Sequence, residues 1–134
     1  MAYADIGGLR LFFEERGSGG RPLVFVHGWC CDHTFFAPQV EHFARGRRVV
    51  AVDLRGCGRS DRPDPGEAHY DTAAFADDVA ALCHELSLDG PVVVGHSMGA
   101  ASPSNWPLAT HPYRRASWPS IPDRSTRCRV TSSC

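Results

Sequence analysis

Pro91-Val92-Val93-Val94-Gly95-His96-Ser97-Met98-Gly99 is the stretch whose reading decides the fold. A short run of β-branched apolar residues predicts a strand buried on both faces. The run ends in G-x-S-x-G, with a glycine two places on either side of Ser97. A strand that must turn sharply into a helix needs small residues there, because the backbone before and after the serine passes close to its neighbours. Such a turn lifts the Ser97 hydroxyl above the carboxyl edge of a sheet and aims the Met98 N–H at the same space.

Working outward, the chain before this point repeats one grammar. Leu9-Arg10-Leu11-Phe12-Phe13 reads as a strand after a Gly7-Gly8 turn, forming a hairpin with residues 2–6. Pro22-Leu23-Val24-Phe25-Val26 and Arg48-Val49-Val50-Ala51-Val52 are further apolar runs, read as buried strands. Between them Thr34 is expected to cap a helix running to about Ala44, with Phe35, Phe36, Val40 and Phe43 on one side. Asp71 or Thr72 opens a second helix that presents Phe75, Val79, Leu82 and Leu86. Strand, helix, strand, helix, strand predicts an α/β fold: a leading hairpin, then parallel strands with flanking helices, cut off after the serine turn.

Two more segments carry the family pattern. Val26-His27-Gly28-Trp29 closes one buried strand. Asp53-Leu54-Arg55-Gly56-Cys57-Gly58-Arg59-Ser60-Asp61-Arg62-Pro63 follows the next. With the serine turn, they resemble the serine-nucleophile branch of the α/β-hydrolase superfamily, over residues from about 9 to 100. The resemblance implies hydrolysis of an ester-like or C–C bond, with Ser97 as nucleophile. It implies an oxyanion hole built from the backbone N–H groups of Trp29 and Met98, with His27 shaping the loop and not serving as base. No metal and no organic cofactor is implied. The expected partner is a small, apolar, ester-like molecule. Serine at position 97 argues against the branches whose nucleophile is an aspartate.

The same resemblance exposes a gap. The family order is Ser, then acid, then His. After Ser97 the chain offers Asp123 and no later histidine, while His111 precedes that acid in Pro-rich sequence. No triad acid and no triad histidine can be identified. Residues 1–101 are therefore read as the N-terminal part of a hydrolase domain, and residues 102–134 as an irregular tail rich in Pro, Ser and Arg. Five of the ten prolines fall in the last 34 residues, where Asp123 is the only acid. All 14 basic residues of the chain are arginine, which points to GC-rich coding DNA and to a tail translated out of frame. Reading each codon's third base with the next codon's first two forces Leu-Ala from Asn105-Trp106-Pro107, whatever the synonymous choices. The chain as written is thus expected to be incomplete and inactive. The alternative is a non-catalytic remnant that only binds.

Composition excludes several classes. A formal charge of −1 over 134 residues, 43% of them hydrophobic, suits one modest globular domain and gives no pull toward nucleic acid or membrane. No run approaches the roughly 18 apolar residues of a membrane span. Without a leader-like N-terminus, a cytoplasmic location is expected. The six cysteines, Cys30, Cys31, Cys57, Cys83, Cys128 and Cys134, contain no C-x-x-C pair and read as reduced thiols.

Overall fold

Gly7 and Gly8, both with positive φ (62° and 91°), form the two-residue turn that joins β1 (Ala2–Ile6) to β2 (Leu9–Arg16). Positive φ at both central residues matches the twist of an antiparallel hairpin, and Ile6 sits opposite Leu9. The structure, a computed structural model, describes residues 1–101. The expected tail, with Asp123 and His111, lies outside the described residues.

β2 runs to Arg16, three residues beyond the strand read from sequence. Its second half has a second partner: Phe13 to Arg16 pair antiparallel with β4 (Val49–Val52). Parallel pairing then carries the sheet through β3 (Leu23–Val26) to β5 (Val92–Gly95), in the order β1-β2-β4-β3-β5. The sheet is mixed, antiparallel at its leading hairpin and parallel beyond it. β3 and β4 are buried along their whole length, as their unbroken apolar runs require. β5 is only half-buried, against the expectation of a strand covered on both faces, because among the described residues it has one neighbour.

Side chains alternate across the sheet and build one core on each face. Val24, Val26, Val50, Val52 and Leu11 pack with α2 (Thr72–Glu85), which contributes Phe75, Val79 and Leu82. Each such side chain removed from water is worth about 1.5–3 kcal/mol. Leu23, Phe25, Val49 and Ala51 pack on the opposite face with Phe36 and Val40 of α1 (Ala37–Phe43). Asp71 caps α2 by accepting from Ala74 N–H at 2.8 Å, and Leu86 closes it.

The first helix differs from its sequence reading. Asp32, not Thr34, is the cap: its carboxylate accepts from the Thr34 N–H (2.8 Å) and the Thr34 hydroxyl (2.5 Å). His33–Phe36 form a tighter 3-10 turn before α1 begins. Pro38 explains the break, since it has no N–H to give to the Thr34 carbonyl and a continuous α-ladder cannot pass it. Phe35 and Phe43 consequently leave the buried side and are 44% and 38% exposed, while Phe36 and Val40 stay inside.

Candidate active site

β5 ends at Gly95, and α3 (Met98–Ala101) starts two residues later. The chain turns through His96 and Ser97, with Ser97 left-handed at φ 51°. That conformation costs a non-glycine residue on the order of 1 kcal/mol, so the surroundings must hold it. They do so from both sides. The His96 N–H donates to Val26 C=O at 3.0 Å and extends the β3–β5 ladder, while Gly99 and Ala100 N–H donate to His96 and Ser97 C=O at 2.9 and 3.0 Å. A methyl group at Gly95 would overlap the Gly99 carbonyl, and one at Gly99 would overlap the Val26 and His27 carbonyls. The glycines on either side of Ser97 are thus steric necessities, and Ser97 itself is exposed at the sheet edge.

Gly28 approaches the turn closely from the β3 side. A Cβ placed on it would lie 3.2 Å from Ser97 Cβ and 2.8 Å from His96 Nδ1. The following residue, Trp29, is 68% exposed. Among the described residues, neither Trp29 N–H nor Met98 N–H donates to any acceptor. Trp29 and Met98 stand on segments that flank Ser97.

Two of the histidines near the site are hydrogen-bonded elsewhere. His27 is fully buried; its Nε2 accepts from Leu54 N–H at 3.1 Å, which leaves Nδ1 to donate to Gly28 C=O at 2.8 Å. It tethers the loop after β3 to the loop after β4. His96 stacks on Phe35 with ring centroids 4.6 Å apart. His33 gives both its N–H and its Nδ1 contact to Asp53 Oδ1, at 2.6 and 2.8 Å. This His–Asp pair is a feature the sequence reading missed. It packs on Phe12 of β2, across β4 from the serine turn. Asp53 follows β4, two strands or roughly 10 Å from β5 at about 4.8 Å per strand, and among the described residues neither member of the pair is hydrogen-bonded to Ser97.

Asp53 instead organises the loop that follows β4. Its other oxygen accepts from Arg59 N–H at 2.9 Å, and its carbonyl accepts from the Ser60 hydroxyl at 2.6 Å. Arg55 grips Asp78 of α2 through two 2.6 Å bonds. Burial pushes the Asp78 carboxyl above its ordinary value and the arginine offsets only part of that, while Asp78 raises the Arg55 guanidinium. Asp32, His33 and Asp53 present three potential metal-ligand atoms within 4.8 Å. Oδ1 of each aspartate already accepts two hydrogen bonds, so the cluster is built as a hydrogen-bonded support. No helix among the described residues is long and apolar enough to cross a membrane.

Comparison with known proteins gives a consistent picture. Residues 21–107 match the family model described as the alpha/beta hydrolase fold. The chain is 46% identical over 92 residues to an AB hydrolase superfamily protein of Bacillus subtilis, covering 68% of this chain and 33% of that protein. It is 39% identical to a non-heme chloroperoxidase of Streptomyces lividans, covering 81% of this chain and 39% of the relative. A solved enzyme that degrades N-acyl homoserine lactones superposes with a TM-score of 0.74 at 31% identity, over 84% of this chain and 42% of its own. The chain therefore spans between 33% and 39% of the length of these two curated relatives.

Proposed function

Because the chain belongs to the alpha/beta hydrolase fold family, we propose that Ser97 is the nucleophile of a hydrolase acting on a small ester-like molecule or a C–C bond beside a carbonyl. The observation that carries this is the left-handed Ser97, exposed at the end of β5 with Gly28 packed against it. In this reading Ser97 Oγ attacks the carbonyl carbon, and the Trp29 and Met98 N–H groups receive the oxyanion. Collapse expels the alcohol, or the carbon leaving group in a C–C hydrolase, and leaves an acyl-serine that water then cleaves. The scheme draws on no metal and no organic cofactor, and it involves neither nucleic acid nor membrane. Exposed Trp29 and Phe35 beside the turn favour an apolar substrate. Similarity to an esterase, an enol-lactonase and a non-heme haloperoxidase fits a small-molecule substrate. The reading assigns the chain to the cytoplasm.

A second reading rests on the engaged histidines. His27 and His33 give ring nitrogens to Leu54 and Asp53, and the His96 ring lies stacked on Phe35, so among the described residues no histidine is hydrogen-bonded to Ser97. Without a base the hydroxyl is a weak nucleophile at neutral pH. The 134-residue chain alone is thus inactive, a folded remnant that binds without turnover, and residues 102–134 are an out-of-frame tail. The test is hydrolysis of short-chain aryl esters by this chain and by a version carrying the restored frame, each with Ser97→Ala as blank. The expected result is no serine-dependent turnover in the first and clear turnover in the second. Serine-dependent turnover by the 134-residue chain would overturn the inactive reading. Activity of the restored form that survives Ser97→Ala would overturn the nucleophile.

A further inference from the structure

Three of the cysteines gather on two turns that leave the sheet side by side. β3 and β4 are parallel neighbours with Val26 opposite Val52, so the chain departs from both at one level. The first turn runs from Gly28 to Cys31, closed by a 3.4 Å bond from Cys31 N–H to Gly28 C=O. The second runs from Leu54 to Cys57, closed at 2.9 Å from Cys57 N–H to Leu54 C=O. The single His27 ring bonds the first residue of each, Gly28 C=O through Nδ1 and Leu54 N–H through Nε2. Both turns are thus anchored on one imidazole, with Cys30 and Cys31 at the far end of the first and Cys57 at the far end of the second. Burial, first, then Asp53 and the two neighbouring cysteines push the Cys57 thiol up, while Arg62 opposes them. Cys30 is exposed and left-handed at φ 56°, Cys57 is half-buried, and among the described residues no disulfide forms.

The geometry points to a reversible disulfide between Cys30 and Cys57, formed when the protein meets a hydroperoxide. Exposed Cys30 is the entry sulfur. Its thiolate attacks the peroxide, the O–O bond breaks, and an alcohol (water, from hydrogen peroxide) leaves Cys30 as a sulfenic acid. The Cys57 thiolate then attacks the Cys30 sulfur, the S–O bond breaks, and the departing hydroxide leaves as water with the Cys57 proton. Two thiols lose two electrons and one hydroperoxide gains them. A thiol reductant reverses the step. Buried Cys83, its thiol pushed up to about 12, takes no part. The Gly28–Cys31 turn is held by one long bond, so it can yield to the geometry a disulfide demands. The cross-link stands independently of any role for Ser97, although it would immobilise Trp29, the residue before Cys30.

Tryptic mapping of the full chain tests this directly. Cys57 lies alone in peptide 56–59, and Cys30 and Cys31 lie in peptide 17–45, because the Arg21–Pro22 bond resists trypsin. After treatment with hydrogen peroxide and alkylation, the two peptides should appear joined, lighter by two hydrogens than their sum, and separate on reduction. Cys57→Ser should lose the joined species and leave Cys30 open to a sulfenic-acid trap. Resistance of Cys83 to alkylation reports that the fold survives in each form. If that variant unfolds, Cys30→Ser supplies the same loss from the exposed side. Free, alkylatable Cys57 after peroxide would overturn the proposal. So would a Cys30–Cys31 bond within 17–45, or pairing of Cys57 with Cys128 or Cys134.

Discussion

Gly99 and Gly46 show how differently two glycines of one chain are constrained. A methyl at Gly99 meets two backbone carbonyls that cannot rotate away, whereas one at Gly46 meets nothing within 4 Å. Gly99→Ala should therefore cost at least about 2 kcal/mol, and Gly46→Ala should stay within about 0.5 kcal/mol, as read from urea midpoints. Equal midpoints would refute the close approach of α3 to β3. Asp32 offers a pH test. The Thr34 hydroxyl, first, and the Thr34 N–H hold its carboxyl below the ordinary 3.8, against the opposing effect of burial. A carboxyl lowered in the folded state stabilises above its unfolded value and loses that contribution as pH falls through the folded one. Asp32→Ala should cost about 1 kcal/mol at neutral pH, with the difference from the parent shrinking below pH 3.8. At this scale Ser97 was legible, because a valine strand running into G-x-S-x-G leaves few alternatives. The His27 link was not, since its Leu54 partner is a backbone N–H 27 positions away that no side-chain pattern announces.

The start of α2 was legible to within a residue and the start of α1 was not. Of Asp71 and Thr72, both read as openers of α2, Asp71 is the cap, while near α1 both Asp32 and Thr34 can cap, and Pro38 decides between them by what it cannot donate. The tie between α2 and the loop after β4 belongs to the same scale. Arg55 and Asp78 are held bidentately, with side-chain exposures of 16% and 4%. Removing the arginine alone strands a carboxylate that burial already disfavours, and Arg55→Met should cost about 2–4 kcal/mol. Pairing it with Asp78→Leu should recover most of that loss, because the charge then has no desolvation to suffer. A double variant as unstable as the single one in a thermal melt would mean that the pair contributes more than charge compensation.

The order of strands was the least legible property, since apolar runs identify β3, β4 and β5 as buried without saying which lies beside which. Among the described residues β5 presents one open edge, and Val94 on it is 36% exposed. An uncharged edge strand invites pairing with other molecules, so the purified chain should self-associate, and Val94→Lys should shift it toward monomer in light scattering. A parent that is already monodisperse at high concentration would contradict this. The order β1-β2-β4-β3-β5 also bears on time. The hairpin β1–β2 can close as soon as it is made, but β3 has neither neighbour when it emerges: β4 comes 26 residues later, and β5 later still. At ribosomal speeds of about 5–20 residues per second, Leu-Val-Phe-Val waits roughly 1–5 s with its backbone unpaired and its side chains in water. For that interval the nascent chain offers a four-residue apolar strand to whatever stands near the exit tunnel, and the helpers that shield it there become as much a condition of the fold as any contact inside it.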